Sequence, residues 1–145
     1  MITPPTGLRH RAAITVDDTL TVPQLPAVLA VMAGMPQVFA TAYMIAFVEA
    51  TCIDALAPFL EQGERTVGTR IDMTHIAATP AGLTVTAEIE LVEIDGRKLA
   101  FRVCCFDDAE CIGEGTHQRA MVIRDRFDER MRAKQAAQKM SLAVG

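Results

Sequence analysis

The 145-residue chain lacks most of the signatures that assign a function on their own. Its four cysteines, Cys52, Cys104, Cys105 and Cys111, form no CxxC pair and no Cys/His cluster of metal-ligand spacing. Free thiols are therefore expected. There is no HExxH or HxH, and Glu49 with His75 alone would leave a zinc site short of protein ligands, so no metal is expected. Nothing resembles a glycine-rich phosphate cradle. Basic residues are not in excess: the formal net charge of −4 argues against general nucleic-acid affinity, although a few local arginines could still hold a small anion. The opening MITPPTGLRH has no apolar core flanked by basic residues, so no secretory signal is expected. The longest apolar run, VFATAYMIAFVEATC, is interrupted by Glu49 and followed by Asp54 and Pro58, short of a bilayer span. With no repeat, low-complexity tract or linker, the reading is one soluble, cytoplasmic domain over residues 1–145, with no membrane partner.

What is present is a change of period. Leu8 to Val16 suits an edge strand. Residues 22–36 carry prolines and a glycine among apolar side chains, poor material for one long helix, and suit a lid-like cover. From 37 to 60 the spacing of Ile45, Val48, Cys52 and Leu56 predicts a buried central helix, with Thr51, Asp54 and Glu61 away from the centre of its stripe. From 65 to 124 the period becomes two. Ile71, Met73 and His75 share one strand face; Leu83, Val85, Ala87, Ile89 and Leu91 share another. Asp95-Gly96 signals a hairpin, after which Leu99, Phe101, Val103 and Cys105 share a face, leaving Cys104 on the opposite one. Residues 125–140 read as a charged surface helix. Four consecutive antiparallel strands curling around one apolar helix would satisfy every apolar face, an α+β arrangement. Its unprotected edge strand suits pairing in a dimer.

Two polar residues break these patterns. Glu49 lies near the buried stripe, where burial disfavours its charge. It is either a carboxylate meeting a buried Arg or His, or a catalytic base or nucleophile. His75 is either a core histidine bonded to backbone or a partner of that carboxylate. If the sheet wraps the helix the two can converge on one cavity, and carboxylate with imidazole is a minimal set for activating water or a nucleophile. Thr41, a cap or packing residue by type, adds a hydroxyl on the same helix. His10 reads as solvated. His117 alternates with Gly113 and Gly115 and receives no catalytic role; Arg119 could hold a phosphate or pair with an acid.

The stretches MPQVFATAYMIAFVEATCIDALAPFLEQGE, VGTRIDMTHIAATPAGLTVTAEI and GEGTHQRAMV together resemble the fluoroacetyl-CoA thioesterase family, over most of the chain from about Val22. The resemblance implies the hot dog fold, a curved antiparallel sheet around a long helix, working as a homodimer and possibly a tetramer. It implies hydrolysis of an acyl-CoA thioester to carboxylate and CoA, with no cofactor because CoA is part of the substrate. The family's catalytic Thr, Glu and His fall on Thr41, Glu49 and His75. Its substrate-holding glycine falls on Gly68 and its last-strand arginine on Arg119. The cover departs from the family: where phenylalanines are usual, Met32 and Met35 stand, with Val22 and Leu25 as aliphatic neighbours. A small acyl group is expected. A hydratase or dehydratase on the same fold, or an acyl-CoA-binding module without turnover, are the alternatives.

Overall fold

The computed structural model describes residues 1–144. A five-stranded antiparallel sheet is formed by β1 (Arg9–Thr15), β2 (Glu64–Met73), β3 (Thr84–Asp95), β4 (Lys98–Phe106) and β5 (Cys111–Ile123), in the order β1-β3-β4-β5-β2. Helix α1 (Thr41–Leu56) packs on its inner face, and α2 (Arg124–Val144) follows β5. The α+β hot dog arrangement expected from the sequence is the observed one.

Strand succession differs from expectation in one respect. β3, β4 and β5 form a meander, but β2 pairs with β5 at one edge while β1 pairs with β3 at the other. The physical reason is the β2–β3 connection, too long for a hairpin and pinned across the start of α1. There the Phe39 amide donates to the Thr79 carbonyl at 2.8 Å, and Val38 bridges Pro80. The tight turn is where Asp95-Gly96 placed it: Asp95 pairs with Lys98, and Gly96 takes the positive φ of +58° that a side chain would resist.

The helix is shorter than the 37–60 expectation. Residues before Thr41 are extended, and Ala57–Phe59 tightens into a 3₁₀ turn that contains Pro58. Its buried face comprises Met44, Phe47, Val48, Thr51, Cys52, Ala55 and Leu56. Ile45 is only half-buried, and Thr51 lies inside the stripe rather than outside it. Burial of Thr51 is made tolerable by its hydroxyl donating to the Phe47 carbonyl at 2.8 Å. Opposite this face the sheet contributes Val85, Ala87, Ile89, Leu91, Leu99, Phe101, Val103 and Cys105, the alternate positions the period-two pattern marks. The 19 residues Thr41–Phe59 are long and apolar enough to cross a membrane, more than the charges in the run suggest, yet the helix lies seated on the sheet.

The cover is a chain of 3₁₀ turns, Val22–Gln24 and Ala27–Gly34, with a kink at Leu29. Much of it faces outward: Val28 is 88% and Val31 83% exposed. The terminal helix extends slightly beyond the expected 125–140 and is exposed along most of its length.

Glycine at 115 is required by close approach of β2. A Cβ there would collide with the Asp72 carbonyl oxygen, a backbone atom that cannot swing aside. Gly115→Ala is therefore expected to lower folding stability by about 2 kcal/mol or more. Gly34→Ala, with open space around the position, should be nearly neutral. Chemical denaturation of both variants checks the contrast; equal stabilities would mean that the β2–β5 edge is not held at this spacing.

Candidate active site

Two polar clusters lie along α1. The first is at its start. Thr41 Oγ1 and His75 Nδ1 are 2.7 Å apart. His75 was expected within its strand, but β2 ends at Met73. The amides of Thr74 and Ile76 nevertheless continue to donate to the Glu114 and Ile112 carbonyls, at 2.9 and 2.8 Å. This irregular continuation leaves His75 half-buried against the first turn of the helix. Burial holds its imidazole below the ordinary histidine range, opposed by the Ala77 backbone. Which of the two donates depends on the tautomer: an imidazole unprotonated at Nδ1 accepts from the threonine hydroxyl, and one protonated there donates to it. His75 Nε2 is buried and, among the described residues, has no hydrogen-bond partner. Buried polar atoms are rarely left so.

The second cluster lies two turns further along. Arg119, only 3% exposed, donates from Nη1 to Glu49 Oε2 at 2.8 Å. Its Nε donates to Thr66 Oγ1 and its Nη2 to the Thr66 carbonyl, both at 2.9 Å. His117 Nδ1 lies 2.8 Å from the Arg70 carbonyl, a contact only an N–H can satisfy, so Nε2 is the acceptor for Arg119 Nη1 at 3.1 Å. Burial, with the guanidinium adding to it, pushes the His117 pKa down, consistent with this neutral form. Gly68 lies directly beneath: a Cβ there would stand 2.5 Å from Glu49 Oε2 and 3.3 Å from His117 Cε1. A surface depression of about 260 Å³ opens onto Ile45, Glu49, Gly68, Thr69, Arg70, Ile71 and His117. Cys52, one turn from Glu49, is an inert neighbour, since burial pushes its thiol up to about 12.

Sequence reasoning placed Glu49 and His75 together. Within one chain the structure instead pairs Thr41 with His75, and Glu49 with Gly68 and Arg119. Thr41 and Glu49 are eight positions apart on one helix, about 12 Å of rise. His117, given no role from sequence, belongs to the Glu49 cluster. The signal was there in its spacing from Arg119, which puts both side chains on one strand face. In the cover, Val22, Leu25 and Met32 are half-buried and Met35 is half-exposed.

A curled antiparallel sheet carrying one apolar helix with such groups along it is the hot dog fold of the thioesterase superfamily. A Thermus thermophilus protein described as a member of that superfamily superposes with a TM-score of 0.85 over 97% of this chain and 99% of its own, at 20% identity, a likeness of fold alone. The chain itself belongs to the fluoroacetyl-CoA-specific thioesterase family, whose model matches residues 16–125. It is thus a member of a family of acyl-CoA thioesterases, hydrolases by class. The fluoroacetyl-CoA thioesterase of Streptantibioticus cattleyicolor is 47% identical over 105 residues, 72% of this chain and 76% of that protein. A solved structure of fluoroacetyl-CoA thioesterase is 41% identical, with a TM-score of 0.89 over 91% of this chain and 98% of that one. A variant of that enzyme in complex with fluoroacetate and CoA is 42% identical, with a TM-score of 0.84 over 86% and 99%.

The lowered imidazole pKa values have a consequence for stability. Above about pH 6.5 both the folded and the unfolded chain hold these histidines neutral. As the pH falls below that value the unfolded chain takes up protons first, so stability declines until the folded-state histidines also titrate. Denaturation midpoints measured across this range should fall on acidification. His117→Gln should flatten the slope; an identical slope would remove His117 from the account.

Proposed function

We propose that the protein hydrolyses a small acyl-CoA thioester to the carboxylate and free CoA, as a cytoplasmic homodimer that needs no cofactor beyond the CoA of its substrate. The observation that carries the reading is the pair of polar clusters on α1. A threonine hydroxyl bonded to a neutral imidazole lies at one, and a carboxylate held over a glycine by a buried arginine at the other. Family membership supports the substrate class.

In this mechanism the thioester carbonyl lies near the Gly68 amide. Glu49 either attacks the carbonyl carbon, expelling the CoA thiolate and leaving an anhydride that water then opens, or takes a proton from the attacking water. Thr41 positions the reacting groups, and His75 exchanges protons with the water and the departing sulfur. Arg119 fixes the carboxylate through a charge-assisted hydrogen bond from Nη1. Half-buried Val22, Leu25 and Met32, with Met35, would shape the acyl end. Methionine is flexible and fills irregular space, so the preferred acyl group need not match one bounded by phenylalanines.

About 12 Å of helical rise prevents Thr41 and Glu49 of one chain from contacting the same carbonyl. A second copy resolves this. The β2 edge is unpaired, Ile71 and Ile76 beside it are exposed, and the cover presents Val28 and Val31. We place the Thr41–His75 pair of one protomer against Glu49 of the other, with the partnerless His75 Nε2 directed at the shared site.

Thiol release from a panel of short, branched and aromatic acyl-CoAs should fall roughly 10²- to 10⁴-fold in Thr41→Ala, Glu49→Gln and His75→Ala. A wild type no faster than these variants on every substrate would end the thioesterase reading. Hydration of an unsaturated acyl-CoA without thiol release would favour a hydratase, and binding without either reaction a non-catalytic module. Subunit exchange tests the shared site. Mixing inactive Glu49→Gln and His75→Ala chains should restore roughly a quarter of wild-type activity, because half the dimers are mixed and each carries one intact site. Gly68→Ala, whose Cβ would collide with the movable end of Glu49 and press on His117 Cε1 at 3.3 Å, should fold but lose roughly 10²-fold in rate by displacing that carboxylate. Wild-type turnover by this variant would show the close fit to be unimportant.

A further inference from the structure

On the outer face of the sheet, away from α1, three side chains with metal-ligand chemistry converge at the β4–β5 hairpin. Cys104 on β4 pairs in register with Glu114 on β5, Cys105 with Gly113, and Phe106 with Cys111. The register shift between the last two pairs is a β-bulge. In a regular strand, residues 111 and 114 are an odd number of positions apart and would face opposite sides. The bulge puts both on the outer face: Cys111 and Glu114 are exposed, while Ile112 and Gly113 between them are buried. Cys111 Sγ thereby comes within 3.9 Å of Cys104 Sγ. The two sulfurs and a Glu114 carboxylate oxygen all lie within 4.8 Å of one another.

That spacing is informative. Two thiolates bound at about 2.3 Å to a tetrahedral zinc ion are about 3.8 Å apart. The sulfurs therefore already stand at the edge length of a tetrahedral site without movement of either strand. The charged neighbours are paired among themselves and leave the three donors free. Glu88, the register partner of Cys104 on β3, is held by Arg11 at 3.4 Å, and Arg102, on the same face of β4 as Cys104, is turned toward Glu90 at 3.3 Å.

We propose that Cys104, Cys111 and Glu114 form a binding site for a thiophilic divalent cation of the zinc type, with water completing the fourth position at the exposed surface. Two sulfur donors with one carboxylate select such an ion over magnesium or calcium, which take oxygen ligands. The bound ion ties β4 to β5 beside their connecting turn and is separated by the sheet from the Glu49–Arg119 cluster on the inner face. It is independent of the hydrolytic reading.

The test uses the full chain, kept reduced with a thiol-free phosphine. Cobalt(II) is added as a probe whose thiolate charge-transfer absorption reports sulfur ligation, and zinc binding is measured by calorimetry. One cobalt ion per chain with that absorption is expected, and it should vanish in Cys104→Ser and in Cys111→Ser. Zinc affinity should fall at least roughly tenfold in each and in Glu114→Gln. Zinc should raise the melting temperature of the wild type but not of the Cys104→Ser/Cys111→Ser double variant. Absence of the charge-transfer band, or zinc binding unchanged in the double variant or in Glu114→Gln, would overturn the site.

Discussion

A guanidinium with 3% of its surface exposed governs the inner face of this sheet. Removing such a charge from water costs several kcal/mol unless its donors are answered. The surrounding residues can be understood as those answers. Thr66 supplies a hydroxyl and a carbonyl, Glu49 supplies a carboxylate, and His117 supplies a ring nitrogen. Each imposes a further condition. His117 can accept only if its other nitrogen holds the proton, and the Arg70 carbonyl fixes that tautomer. Glu49 can reach the arginine only if nothing projects from position 68, hence glycine there. The opposed charge also makes a carboxylate tolerable beside an apolar helix face. Arg119 is thus the reason a carboxylate can stand at position 49.

Much of this was legible before any coordinates. Period-two alternation identified the sheet's inner residues from Val85 to Cys105, because burial on one face leaves few choices at alternate positions. Glu49 and His75 stood out as polar residues on apolar patterns. What the sequence withheld was the partner of each. Arg119 was open to a phosphate or an acid, and only the sheet order, with β2 beside β5, sets it over Glu49. His75 was tied to Glu49 by chemical plausibility, whereas its nearest group is Thr41, brought there by a connection whose path no local periodicity encodes. Thr51 was misplaced because a hydroxyl counts as polar in any pattern, although donation to the preceding turn lets it behave as a small apolar residue.

The bulges are the other reason the sequence falls short. The sheet has three register shifts: one in β2 between Gly68 and Arg70, one in β3 between Leu91 and Glu93, and one that separates Cys111 from Gly113 in β5. Strict alternation miscounts faces past each of them. The shift in β2 keeps Gly68 and Ile71, three positions apart, opposite Arg119 and His117 on one side of the sheet. The shift in β5 gathers two cysteines and a glutamate that share no recognisable metal spacing in the chain. The bulges in β2 and β5 thus gather polar side chains, one on each face, where unbroken pairing would have scattered them.

The two clusters on α1 differ in how complete they are, and that difference bears on assembly. Glu49 finds its arginine, and the arginine its four acceptors, entirely within one chain. The other cluster is closed on one side only, with Nδ1 of His75 bonded to Thr41 and Nε2 buried without a partner among the described residues. A fold that satisfies a buried arginine so fully does not leave an imidazole nitrogen unanswered through general looseness of packing. The unanswered atom lies at the start of the helix, next to the irregular end of an unpaired edge strand and the exposed Ile76. A proposed second copy arriving at that edge would cover the apolar residues and bring a carboxylate to the nitrogen together. The Glu49–Arg119 cluster is thus self-contained, and under the proposed assembly it is the Thr41–His75 cluster that would be completed between chains.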